Sequence, residues 1–245
     1  MNRCGSSFRT METTPDKPRN SSPWQDFFNY AGSGRPIPEG FVARVFLSKS
    51  PVRFLRSYDF KGKNALDLGC GGGRHSIFLS QLGFITSACE VNDEIVQTLI
   101  ERFPHLHFFK GSSHGIDAPD QSYDCILGAN SIYYLNEGGH SLEAALQEIH
   151  RVTKIGGFVV ASLVGEDHFC IAGSTRERDN TAKMVSDPLG LRTESRIRPL
   201  WNDEEPRAIL ELDGKFELHK SAELRESCDG YVRHLHYFSL YRVGP

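Results

Sequence analysis

Residues 66–75 read LDLGCGGGRH and set a carboxylate, Asp67, two positions ahead of glycines at 69, 71 and 73. Glycine at such places lets a backbone approach a ligand closely. Two phosphate-binding readings fail on residue type. A dinucleotide loop, G-x-G-x-x-G, needs glycine where this chain has Arg74, and a Walker loop needs a Gly-Lys-Ser/Thr that does not follow. The loop therefore suits a ligand with no phosphate there, and Asp67 suits an amine or another cation. A second acid, Glu90, ends the next apolar run. An ionised carboxylate has two acceptor oxygens, enough for both hydroxyls of a ribose. The ligand so described carries an amine, a ribose and a base.

Other residues offer rival or additional chemistry. Gly111, Ser113 and Gly115 match the G-x-S-x-G elbow of α/β-hydrolases, but the elbow must lead into a helix, and residues 116–120, with Pro119, break one. His140, ahead of a helix, and His168, at the start of an irregular stretch, are candidate general bases near neutral pH. His234 and His236 lie on one face of a strand without a third ligand at a recognisable spacing, so no metal is expected. Arg192, Arg196 and Arg198 form a cationic cluster, and Tyr30, with Trp24 and Phe28, is placed to close a pocket.

These residues need a scaffold, and the hydropathy pattern supplies one. Apolar strand-like runs at 65–68, 84–89, 105–109, 123–129 and 158–164 alternate with helical patterns at 76–82, 94–103 and 141–152. Such alternation predicts a doubly wound α/β domain, a mostly parallel sheet covered by helices on both faces, with ligands beyond the strands' C-terminal ends. A helix at 203–212 followed by strands at 216–219 and 231–243 predicts an antiparallel hairpin at one sheet edge. Residues 1–22 are polar and proline-bearing, which predicts a disordered tail. A single domain is expected over 23–245, with a helical cap at 23–60 and a lid or substrate insertion at about 166–199, too long for an ordinary connection.

Composition narrows the class. With 28 basic and 31 acidic side chains, the net charge of −3 lacks the footprint of a nucleic-acid binder. No apolar run is long enough to cross a bilayer, and the N-terminal residues lack a signal-peptide core, so a cytoplasmic location is expected. The six cysteines show no C-x-x-C or zinc-like spacing.

Taken together, ALDLGCGGGRH, CEVNDE, SYDCILGANSIYYL and LQEIHRVTKIGGFVVASL resemble the class I S-adenosylmethionine-dependent methyltransferases. The resemblance runs from about Trp24 to the C-terminus and is strongest over 65–164. It implies the Rossmann-like methyltransferase fold, with a seven-stranded sheet, S-adenosyl-L-methionine as cofactor and O- or N-methylation of a small molecule such as a sugar or secondary metabolite. By that resemblance Asp67, Gly69, Cys70 and Gly71 border the methionine part of the cofactor, Glu90 and Val91 the ribose side, and Gly128 the region near the sulfonium. Tyr133 and Tyr134 follow the fourth strand, where relatives face the methyl acceptor, and Tyr134 is the stronger candidate. The chain departs from the pattern after the third strand, where Ser112 and Ser113 stand in place of an adenine-binding aspartate. A serine hydrolase and a non-catalytic methyltransferase-like module stay open as alternatives.

Overall fold

The computed structural model describes residues 42, 46, 59–135, 140–184, 195–228 and 231–244. The chain alternates β1 (Asn64–Leu68), α1 (Arg74–Gln81), β2 (Ile85–Glu90), α2 (Asp93–Arg102), β3 (His107–Lys110), β4 (Tyr123–Gly128), α3 (Leu142–Val152) and β5 (Thr153–Val164). Two short strands follow, β6 (Ala182–Lys183) and β7 (Arg196–Ile197), then α4 (Pro206–Leu210), β8 (Phe216–Cys228) and β9 (Tyr231–Arg242). The main sheet has seven strands in the order β3-β2-β1-β4-β5-β9-β8. Strands β1 to β5 pair in parallel, and β9 runs antiparallel to both β5 and β8. This is the doubly wound sheet with a terminal hairpin that the hydropathy pattern predicts.

Local chemistry explains the elements. All six residues of β4, YDCILG, are buried, as a central parallel strand covered on both faces requires. Helix α2 starts where the Asn92 side chain accepts from the Glu94 and Ile95 amides, with Asp93 and Glu94 in its first turn and Arg102 in its last, matching the helix dipole. Helix α3 is capped in the same way by Ser141, which accepts from the Ala144 amide. Its apolar stripe, Leu142, Ala145, Leu146, Ile149 and Val152, is buried. On the opposite face Phe46 packs its ring against Phe60, Phe78, Phe84 and Phe158. Val42 joins that cluster, so this much of the predicted cap belongs to the core.

Two elements depart from the sequence reading. Strand β8 is 13 residues long and continues well past 219. The insertion contains a two-stranded sheet of its own, β6 with β7. It leaves the main sheet at Gly165 and returns at Leu200, whose amide donates to the Val164 carbonyl at 2.9 Å. The predicted tail at 1–22 and the aromatic segment with Trp24, Phe28 and Tyr30 lie outside the described residues.

Candidate cofactor and acceptor site

In a sheet ordered this way the chain first steps outward from β1 to β3, then crosses back to β4, so the crevice between β1 and β4 is the switch point where ligands bind. The glycine loop leaves β1 at that point. Gly69, Gly71 and Gly73 all have left-handed backbones, with φ of 69°, 51° and 76°. Alternate glycines are thus a conformational requirement of the loop. A Cβ on Gly69 would also lie 2.4 Å from Ser131 Cβ, because the loop after β4 closes over it. Ser131 Oγ donates to the Leu68 carbonyl at 2.6 Å and holds the two loops together.

The loop's amides are largely committed inside the protein. Gly69 and Cys70 donate to the Cys89 carbonyl at 2.9 and 3.0 Å, Gly73 to the Cys70 carbonyl at 2.9 Å, and Gly71 to Glu90 Oε2 at 3.0 Å. A phosphate cradle needs such amides free to converge on the anion. The commitment of these four amides is in keeping with the residue types, which match neither phosphate motif.

The two acids sit on adjacent strand ends in different surroundings. Asp67 is 1% exposed. Burial pushes its carboxyl up to about 7, against a Ser76 hydroxyl that donates to Oδ2 at 2.6 Å and favours the ionised form. A cation placed beside it would draw the proton off. Glu90 is half-buried, with its second oxygen accepting from the Val91 amide at 2.8 Å. Val91 itself is 59% exposed, an apolar shelf beside Glu90 at the rim. Cys70 and Cys89 beneath the loop are buried thiols pushed up by desolvation, Cys89 to about 12, and are inert as nucleophiles.

Several predicted site residues have other assignments. The space a Cβ would take at Gly128 is filled by Ile132 Cγ2 at 2.6 Å, so this glycine permits close packing of the following turn. Ser112 and Gly115 exchange both backbone hydrogen bonds at 3.2 Å, closing residues 112–115 into a tight turn. No helix follows, which removes the nucleophile elbow and with it the hydrolase reading. Ser113 Oγ lies 3.2 Å from His114 Nδ1, and Ser112 Oγ accepts from the His114 amide at 3.3 Å, so both hydroxyls are engaged within this turn. The turn nevertheless borders the site, since the Gly111 amide donates to the Glu90 carbonyl at 3.1 Å. His168 is buried in a turn after β5, its Nδ1 accepting from the Cys170 amide at 3.1 Å, which makes it a structural histidine rather than an accessible base. Arg196 is paired with Asp179 at 2.8 Å and Glu177 at 3.1 Å, and buried Arg198 forms a two-pronged pair with Glu204. These two arginines are neutralised internally and do not form an anion site. Arg192 lies outside the described residues.

Tyr134 and the insertion do come together. Tyr134 bridges Ile197, the Leu135 amide donates to the Arg196 carbonyl at 2.9 Å, and the Arg198 amide donates to the Tyr133 carbonyl at 2.9 Å. The insertion thereby adds a strand to the segment after β4. Beside this seam lies a cavity of about 370 Å³ lined by residues that include Leu135, His140, Glu143, Asp179, Thr181 and Arg198. His140 is exposed and stacks on His114 with ring centroids 4.2 Å apart. None of the Asp67 to Glu90 group lines the cavity.

Ser76, Ser131 and Glu223 were not singled out by their residue types. Ser76 holds Asp67, Ser131 closes the switch point, and Glu223, on the continuation of β8, stands opposite His236 in register. The third partner that the histidine pair lacks in sequence is therefore supplied by the neighbouring strand.

Residues 65–157 match the methyltransferase domain family. The chain is 28% identical over 120 residues to the ribosomal protein L11 methyltransferase of Campylobacter concisus, covering 47% of this chain and 40% of that protein. It is 27% identical over 124 residues to the malonyl-[acyl-carrier protein] O-methyltransferase of Serratia marcescens, covering 51% and 45%. The chain thus spans less than half the length of these curated relatives. Its fold matches the 1,6-didemethyltoxoflavin-N1-methyltransferase of Burkholderia thailandensis, solved with S-adenosylhomocysteine bound, at a TM-score of 0.57 and 14% identity over 96% of this chain and 99% of the other. A S-adenosylmethionine-dependent methyltransferase structure from Listeria monocytogenes matches at a TM-score of 0.59 and 16% identity over 76% and 94%.

Proposed function

We infer, from the match of residues 65–157 to the methyltransferase domain family and from the fold, that the chain transfers the sulfonium methyl group of S-adenosylmethionine to an oxygen or nitrogen of a small molecule. The observation that carries the reading is the pair of acids on adjacent strand ends flanking three left-handed glycines whose amides are mostly used internally. That arrangement fits an amine, a sulfonium and a ribose.

Asp67 and the glycine backbone hold the methionine end, Glu90 takes the ribose hydroxyls, and Val91 offers a face to the base. S-adenosyl-L-methionine supplies the activated methyl; the chain's contribution is to fix the acceptor in line with it and exclude water. The acceptor enters the cavity between the segment after β4 and the insertion. Its volume suits a small molecule, at the lower end of the range of roughly 300 to 1,000 Å³ for ligand sites. His140 at its wall is the candidate to take a proton from the acceptor, and Tyr134 orients the seam. The acidic balance of charge favours such an acceptor over a nucleic acid.

The test is a panel of small hydroxyl- and amine-bearing acceptors incubated with methyl-labelled S-adenosylmethionine. Label should pass to an acceptor with wild-type protein and fall sharply with His140→Ala. Transfer that is indifferent to His140 would assign the base elsewhere, and a panel without transfer would count against the small-molecule reading.

A further inference from the structure

We propose that the β8/β9 hairpin carries a binding site for one divalent transition-metal ion of the zinc type, held by Glu223, His234 and His236. The site lies outside the Asp67 to Glu90 loops and does not depend on the methyltransferase reading. His234 and His236 are two residues apart on β9 and share a face, and Glu223 on β8 pairs with His236 across the ladder. One ligand atom from each of the three residues lies within 4.8 Å of the others. Tetrahedral zinc with bonds of about 2.0 to 2.1 Å places its ligand atoms roughly 3.4 Å apart, so modest rotamer changes would close the triad on an ion.

The buried nitrogens point to a cation. Nε2 of both histidines is buried without a hydrogen-bond partner among the described residues. His234 is 3% exposed, and its Nδ1 meets the Asp167 carboxylate. The Asp167 carboxylate occupies the Nδ1 side of the ring, so Nε2 is the nitrogen turned toward Glu223. Nε2 lies 3.0 Å from Glu223 Oε1, without the alignment of a hydrogen bond. A metal ion lying off the line between the two atoms would meet a geometry that a direct, poorly aligned hydrogen bond does not.

The surroundings fit a ligand histidine. A carboxylate on the far ring nitrogen is the usual partner of a metal-bound imidazole, fixing its tautomer and orientation. Asp167 takes that place and is itself held by Arg225. Gly165 completes the support: a Cβ there would lie 2.2 Å from His234 Nδ1, so the ring rests directly on the glycine backbone. Two imidazoles and a carboxylate form a donor set for zinc or cobalt rather than magnesium or calcium, and three protein ligands leave a fourth position for water.

The experiment uses the full-length, tag-free protein after treatment with a chelator, titrated with zinc by calorimetry and with cobalt by visible absorption. One equivalent should bind, cobalt should develop the intense visible bands of a tetrahedral site, and zinc should raise the unfolding temperature. Glu223→Gln and His236→Gln should each weaken binding at least tenfold, and Asp167→Asn by about 10- to 100-fold through the outer shell. Glu223 is exposed, so its variant keeps the fold, to be verified by circular dichroism, and decides the matter if the histidine variant does not. A wild-type protein that binds neither metal, or one whose affinity is unchanged in the folded Glu223→Gln variant, overturns the proposal.

Discussion

Replacing Asp67 by asparagine should make the ligand-free protein more stable at alkaline pH while weakening its hold on the cofactor. Burial raises the Asp67 carboxyl from 3.8 to about 7 in the folded state. The folded protein therefore keeps a proton that the unfolded chain has already lost, and stability falls as pH rises through the window between those two values. The full difference corresponds to about 4 kcal/mol at 1.36 kcal/mol per factor of ten, and about 2 to 3 kcal/mol of it is lost between pH 5 and pH 8. An asparagine side chain at this position has no proton to lose, and its amide oxygen still accepts from Ser76. For a chain of this size the difference translates into roughly 5 to 10 °C. Thermal unfolding of both proteins at pH 5 and pH 8, without ligand, gives the comparison. The wild type should lose several degrees more than Asp67→Asn over that interval, since every other titrating group is common to both. Parallel pH dependences would refute the argument and place Asp67 among ordinary solvated carboxylates.

Three further outcomes follow from the same geometry. Ser76→Ala removes the hydroxyl that favours ionised Asp67, so the pH at which cofactor affinity reaches its plateau, near 7 in the wild type, should move upward in a calorimetric pH series. Gly69→Ala combines a left-handed φ of 69° with a clash at Ser131 and should lower stability by more than about 2 kcal/mol in denaturant unfolding, whereas Gly115→Ala, which meets nothing within 4 Å, should change little. Tyr134→Ala should leave affinity for S-adenosylhomocysteine within about 1 kcal/mol while slowing transfer to the acceptor, the signature of a contact on the acceptor side. A proportional loss of both would make Tyr134 a packing residue of the seam.

The sheet was legible because its central strands are short apolar runs between glycine-rich turns and amphipathic helices, a pattern with few alternative folds. Strand β8 was read only to 219 because its continuation, KSAELRES, is charged on an exposed edge strand. That shortfall hid Glu223 and left His234 and His236 without a partner. The acids Asp67 and Glu90 were recognisable from their places at consecutive strand ends, whereas Ser76 and Ser131 act through contacts 9 and 63 residues away in the chain. At Gly128 a glycine after a strand marks close approach, and the fold shows Ile132 filling the space that a side chain would take. His168 likewise reads as a base by type, while its burial and its bond to the Cys170 amide come from tertiary structure.

The central claim is that the Asp67 to Gly73 loop and Glu90 hold S-adenosylmethionine, and calorimetry at pH 8 with this nucleoside and with S-adenosylhomocysteine tests it most directly. Both should bind with one site per chain in the micromolar range, roughly −8 kcal/mol. Glu90→Ala should weaken each by about 1 to 3 kcal/mol as the ribose hydroxyls lose a charged acceptor. Absence of heat and of any thermal shift with either nucleoside, or affinities untouched by Glu90→Ala in a folded protein, would contradict the account.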